Sequence, residues 1–68
     1  MDQDTFNLST RQFLKTVGVG SQQEIEQAVA KTSAAGMIGG DKTFAATMML
    51  RISGLQLEVS FDDQIKLE

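Results

Sequence analysis

The residue types best suited to chemistry in this chain are paired carboxylates, Asp62-Asp63 and the Glu24/Glu26 pair. General acid–base work needs two such groups to converge on one reacting centre. Adjacent residues on a strand point to opposite faces, and two polar residues in sequence are also ordinary turn formers. Glu24 and Glu26 fall about 200° apart around a helix, and Glu24 has a competing use as a capping residue. The chain has no cysteine and no histidine, so the common nucleophile–base pairs and the usual zinc, copper and iron ligands are missing. These observations point away from an enzyme and imply no cofactor and no metal.

The stretch GMIGGDKT invites comparison with a phosphate-cradling loop, but Asp41 separates Gly40 from Lys42. The G-x-x-x-x-G-K-[ST] spacing is not met, and a strand pattern follows where a helix should start. The stretch reads as a helix-to-strand connector.

The elements that would position these groups follow from periodicity. Phe6, Thr10, Phe13, Leu14 and Val17 share one helical stripe, Asp2 or Asp4 can cap its start, and Lys15 lies in its last turn. Gly18 ends that first helix, over about residues 3–17. Ser21-Gln22-Gln23-Glu24 forms a capping box for a second, over about residues 22–35, with Ile25, Ala28, Val29, Thr32 and Ala35 on one face. Gly36 is placed to stop it in a left-handed conformation.

Beyond the connector the period changes to two. Ser53-Gly54 suits a two-residue hairpin turn, giving strands over about 43–52 and 55–61 or longer. That register pairs Ile52 with Leu55, Leu50 with Leu57, Met48 with Val59 and Ala46 with Phe61, all apolar. The opposite face pairs Arg51 with Gln56, Met49 with Glu58 and Thr47 with Ser60. Past Phe61 two continuations stay open. Ile65 and Leu67 keep the parity of a strand that runs on, with Asp63 intruding on the apolar face. Alternatively Asp62-Asp63-Gln64 makes a turn or bulge before a short third strand, and the cost of an unpaired carboxylate on an apolar face slightly favours this one. The expected architecture is α+β: two N-terminal helices packed on a C-terminal antiparallel hairpin, in ααββ order, as a single domain over 1–68.

The segment VGVGSQQEIEQAV poses a choice between a structural corner and the middle of a helix-turn-helix, with the hairpin as a wing. Gln22, Gln23 and Gln27 have the groups to read adenine edges. Glu24 and Glu26 oppose this, Lys31 is the one base of that helix, and the usual third helix is missing. Nine acids outnumber six bases, and the bases are scattered, which argues against nucleic acid as a partner. A degenerate winged-helix-like nucleic-acid binder is therefore the alternative function.

The leading reading is a non-enzymatic protein that works through protein–protein contact, foremost as a homodimer. A domain of 68 residues buries only about 60% of its unfolded surface and needs a helper; without cysteine or metal ligands, a partner subunit is left. Leu8, Ala30, Ala34 and Met49 remain over once the intramolecular core is assigned and form the candidate interaction surface. No apolar run approaches the roughly 20 residues of a membrane span, and the N-terminus has no secretory pattern, so the expected setting is cytoplasmic, off the membrane.

The residues DTFNLSTRQFLKTVGVGSQQEIEQAV resemble the opening of a family of short uncharacterised proteobacterial proteins. The likeness rests on Phe6, Asn7, Arg11, Phe13, Leu14, Lys15, Val17, Gly18, Val19, Glu24, Ile25 and Glu26, with the Gly54-Leu55 turn also similar. Gly20 departs from the pattern, as does the sparser basic content in and after the second helix. The resemblance implies a stand-alone bacterial protein and transfers no functional residue.

Overall fold

A computed structural model describes residues 1–36 and 43–67. The chain falls into two compact units, Met1–Ile38 and Gly39–Glu68. The connector readings at Gly40, Asp41 and Lys42, and the terminal Glu68, lie outside the described residues.

The first unit is one helix, α1, running Gln3–Ala34 without a break. At 1.5 Å per residue its 32 residues span about 48 Å. Asp2, in extended conformation, is the N-cap. Its Oδ1 accepts the amides of Asp4 (3.0 Å) and Thr5 (3.3 Å), and its Oδ2 accepts the Thr5 hydroxyl at 2.8 Å. These bonds hold the Asp2 carboxyl below its ordinary pKa, the Thr5 hydroxyl contributing most. The far end stops as the sequence suggests. Ala35 donates to the Lys31 carbonyl, Gly36 donates to that of Ser33, and Gly36 turns left-handed at φ 71°.

The expected break at Gly18-Val19-Gly20 is absent, and with it both the two-helix count and the capping box at Ser21. Glycine in a helix interior costs about 1 kcal/mol against alanine but blocks nothing sterically. There is no proline anywhere in the chain to force a stop. Val17, Ser21 and Ile25 step by four across the glycines, so the two stripes join in phase as one face. Within a continuous helix the Glu24 amide belongs to the backbone ladder and has no use for the Ser21 oxygen. The helix-turn-helix and the structural corner fall together, since neither has its turn.

The second unit is a two-stranded antiparallel hairpin of β1, Thr43–Ile52, and β2, Leu57–Lys66. Its faces are those the alternation predicts, but its register is displaced by two residues. Ile52 pairs with Leu57, Leu50 with Val59, Met48 with Phe61, Ala46 with Asp63 and Phe44 with Ile65. The connection is a four-residue loop in place of Ser53-Gly54 alone: a 3-10 turn at Ser53–Leu55, then Gln56 left-handed at φ 54°, its amide bonded to the Ser53 carbonyl at 3.1 Å.

Sliding by two keeps every side chain on its original face, so apolar alternation does not separate the two registers. The polar face does. The observed pairing sets Arg51 across from Glu58, with Nη2 donating to Oε1 at 2.7 Å, and Thr47 across from Asp62, with Oγ1 donating to Oδ1 at 2.7 Å. In the expected register Arg51 would face Gln56 and Glu58 would face Met49. Cross-strand pairs of this kind contribute about 0.2–1 kcal/mol each.

Of the two continuations past Phe61, the structure has the strand run on: β2 extends to Lys66, in place of the slightly favoured turn or bulge and third strand. Asp63 does come onto the apolar face, but opposite Ala46, the smallest side chain there. Its carboxylate stays exposed and accepts the Gln64 amide at 2.7 Å, so the cost of an unpaired buried charge does not arise.

Candidate interaction surface

The adjacent carboxylates of Asp62 and Asp63 do not converge. Asp62 lies on the polar face of the hairpin, bonded to Thr47, while Asp63 lies on the other face. Among the described residues no three Asp or Glu side chains gather where they could hold a metal ion. Arg51 and Glu58 form an ion pair with both side chains more than half exposed, which is worth about 0.2–1 kcal/mol and fixes register rather than chemistry.

Of the four predicted interaction residues, Leu8, Ala30 and Ala34 lie on α1 and Met49 on the hairpin. Ala30 and Ala34 share a side of α1 at a spacing of four. Leu8 is 22 positions from Ala30 on the same helix, about 33 Å along its axis. Met49 belongs to the hairpin, on its polar face, where the Met49 sulfur accepts from Arg51 Nη2 at 3.7 Å.

The larger apolar surfaces are those that sequence reasoning had assigned to a core. Among the described residues none is buried. On α1, Phe6 is 49% exposed, Phe13 48% and Leu14 56%. The half-buried positions of the helix, Val17, Ser21, Val29 and Thr32, lie on that same stripe. On the hairpin, Met48 and Phe61 are exposed, while Phe44, Leu50 and Ile65 are half-buried on the same face. The reason is geometric. One helix and one two-stranded sheet each have a single apolar side, and neither can enclose it alone. The signal that could have revealed the helical surface was the shared phase of its two halves across Gly18 and Gly20.

No described helix is long and apolar enough to cross a membrane. These features define a small α+β protein whose distinctive surfaces, among the described residues, are apolar faces. The chain belongs to a family of unknown function (DUF6494), whose model matches residues 1–68. No curated protein and no solved structure matches it.

Proposed function

We propose that this protein works without catalysis, in the cytoplasm, through contact with protein and foremost with a second copy of itself. The observation that carries the reading is that each unit presents an apolar face and no described residue is buried. Apolar area left in water represents stabilisation forgone, at about 25 cal/mol per Å², and a partner that covers it recovers that energy. The missing cysteine and histidine residues support a role outside covalent and metal chemistry. No observation favours the nucleic-acid alternative.

Light scattering coupled to size exclusion, from tens to hundreds of micromolar protein, tests the reading. A mass that rises to twice 7.4 kDa is expected. A mass fixed at the monomer value across the range overturns it.

A further inference from the structure

We propose that the open edge of β1 pairs, antiparallel, with the β1 edge of a second copy, so that two hairpins make one four-stranded sheet. The proposal rests on the self-association reading and names the surface that carries it.

The two edges of the hairpin differ in what they set against an incoming strand. A two-stranded sheet leaves every second residue of each strand with its N–H and C=O turned outward. β2 carries the devices that keep such an edge in water: Glu58, Asp62 and Lys66 on the polar face, and Asp63 on the apolar one. β1 has no acid, no proline and no bulge. Its pairing with β2 is regular from Thr43 to Ile52, about 33 Å of strand. Arg51 is its one charge, and Glu58 already holds it at 2.7 Å. Lys42, next in sequence, lies outside the described residues.

β1 is also complementary to itself. A two-fold axis perpendicular to the sheet joins the edges with the strands antiparallel and keeps both apolar faces on one side. An axis along the strands would make the pair parallel and turn those faces to opposite sides. Centring the perpendicular axis on Met48 sets Met48 on Met48, Ala46 on Leu50 and Phe44 on Ile52, so each apolar-face residue of β1 meets an apolar partner. The two Arg51 positions then lie about 20 Å apart along the strands, beyond the screening length of about 8 Å at physiological salt. β2 offers no such match. An axis at Asp62 sets Asp62 on Asp62 and Asp63 on Phe61, and an axis at Phe61 sets Asp63 on Val59.

The product explains why the occupant is one further copy. A lone two-stranded hairpin is marginal in water, and three or more strands with an apolar face make a stable sheet. In the order β2-β1-β1-β2 the bare strands lie inside, and a charged strand closes each outer edge.

The chain has no native cysteine, so an introduced one can bond only to its counterpart in the second copy. Met48→Cys in the full chain lies across the axis, with Cα atoms about 4.5–5.5 Å apart, inside the range a disulfide spans. Phe61→Cys pairs with Met48 from the outer strand, about 14 Å from its counterpart and out of reach. In an oxidised-glutathione buffer the first variant should become a covalent dimer and the second should not. Hydrogen exchange on the unsubstituted chain gives a second readout. Once about nine chains in ten are dimeric, the outward amides of β1 exchange only from the remaining monomer and should slow roughly tenfold, while those of β2 keep their rate. A dimeric mass with β1 amides unprotected, or with a folded Met48→Cys that stays uncross-linked, overturns edge pairing and leaves self-association standing. A monomeric mass at every concentration overturns both. If Met48→Cys does not fold, the exchange result alone decides.

Discussion

Replacing Gly18 and Gly20 by alanine separates the continuous helix from a glycine-bearing corner by the sign of its effect. Both glycines sit in the interior of α1, neither has positive φ, and an added Cβ would meet nothing within 4 Å at either position. Alanine therefore fits without strain and removes the backbone freedom that glycine forfeits on folding, worth roughly 0.5–1 kcal/mol per site. Residues two apart do not face one another on a helix, so the two effects add to about 1–2 kcal/mol. For a chain of this size that raises the thermal midpoint by roughly 4–16 °C, read by ellipticity at 222 nm at one fixed protein concentration. A corner would require a left-handed residue at one of these positions, and a Cβ there costs about 1–2 kcal/mol. A drop in midpoint for either single variant refutes the unbroken helix.

Three further outcomes follow from the caps and the register. Gly36→Ala places a Cβ at φ 71° and should lower stability by about 1–2 kcal/mol in denaturant titration; a neutral result would contradict the left-handed stop. Nuclear Overhauser contacts should connect Leu50 with Val59 and Met48 with Phe61, and finding Leu50 with Leu57 instead would restore the two-residue turn. Because the Asp2 carboxyl titrates below its ordinary value of 3.8, its contribution to helix stability is complete above that value and is lost as pH falls through the lower folded one. Wild type should thus lose helix on acidification that Asp2→Ala has already lost at neutral pH, and equal acid profiles for the two proteins would refute the cap.

What the sequence made legible was decided locally. Alternation placed residues 46–52 and 57–61 of the hairpin on their proper faces, and Gly36 stopped the helix as its type implies. Asp2 and Asp4 were both credible caps, and the structure selects Asp2. The errors came where two local signals competed at nearly equal energy. At Gly18–Ser21 a turn signature met an in-phase stripe, and two weak helix formers did not outweigh the residues on either side. At Ser53–Gln56 a favoured dipeptide met two polar cross-strand pairs, and Arg51–Glu58 with Thr47–Asp62 set the register that the apolar face leaves open. The candidate surface was harder to read because it depends on what is left uncovered. Phe6, Phe13 and Leu14 look like core by residue type, and only a count of the available layers shows that a single helix has nowhere of its own to bury them.

Asp63 has a consequence for how the hairpin behaves in a crowd. A two-stranded sheet has an open hydrogen-bonding edge on each strand, and strand-by-strand growth from such edges is the route to fibrils. The run from Met48 to Ile52, apolar apart from one charge and free of proline and glycine, has the low charge of segments that stack into dry zippers. β2 interrupts its own apolar face with a carboxylate opposite Ala46. Any zipper built on that face would repeat the charge in every layer, a few ångströms from the next, with no counter-ion in a dry interface. A solitary partner can leave Asp63 at its rim in water, whereas an endless stack cannot. Asp63 thus stands where a gatekeeper residue would, its charge set against unlimited stacking of this face.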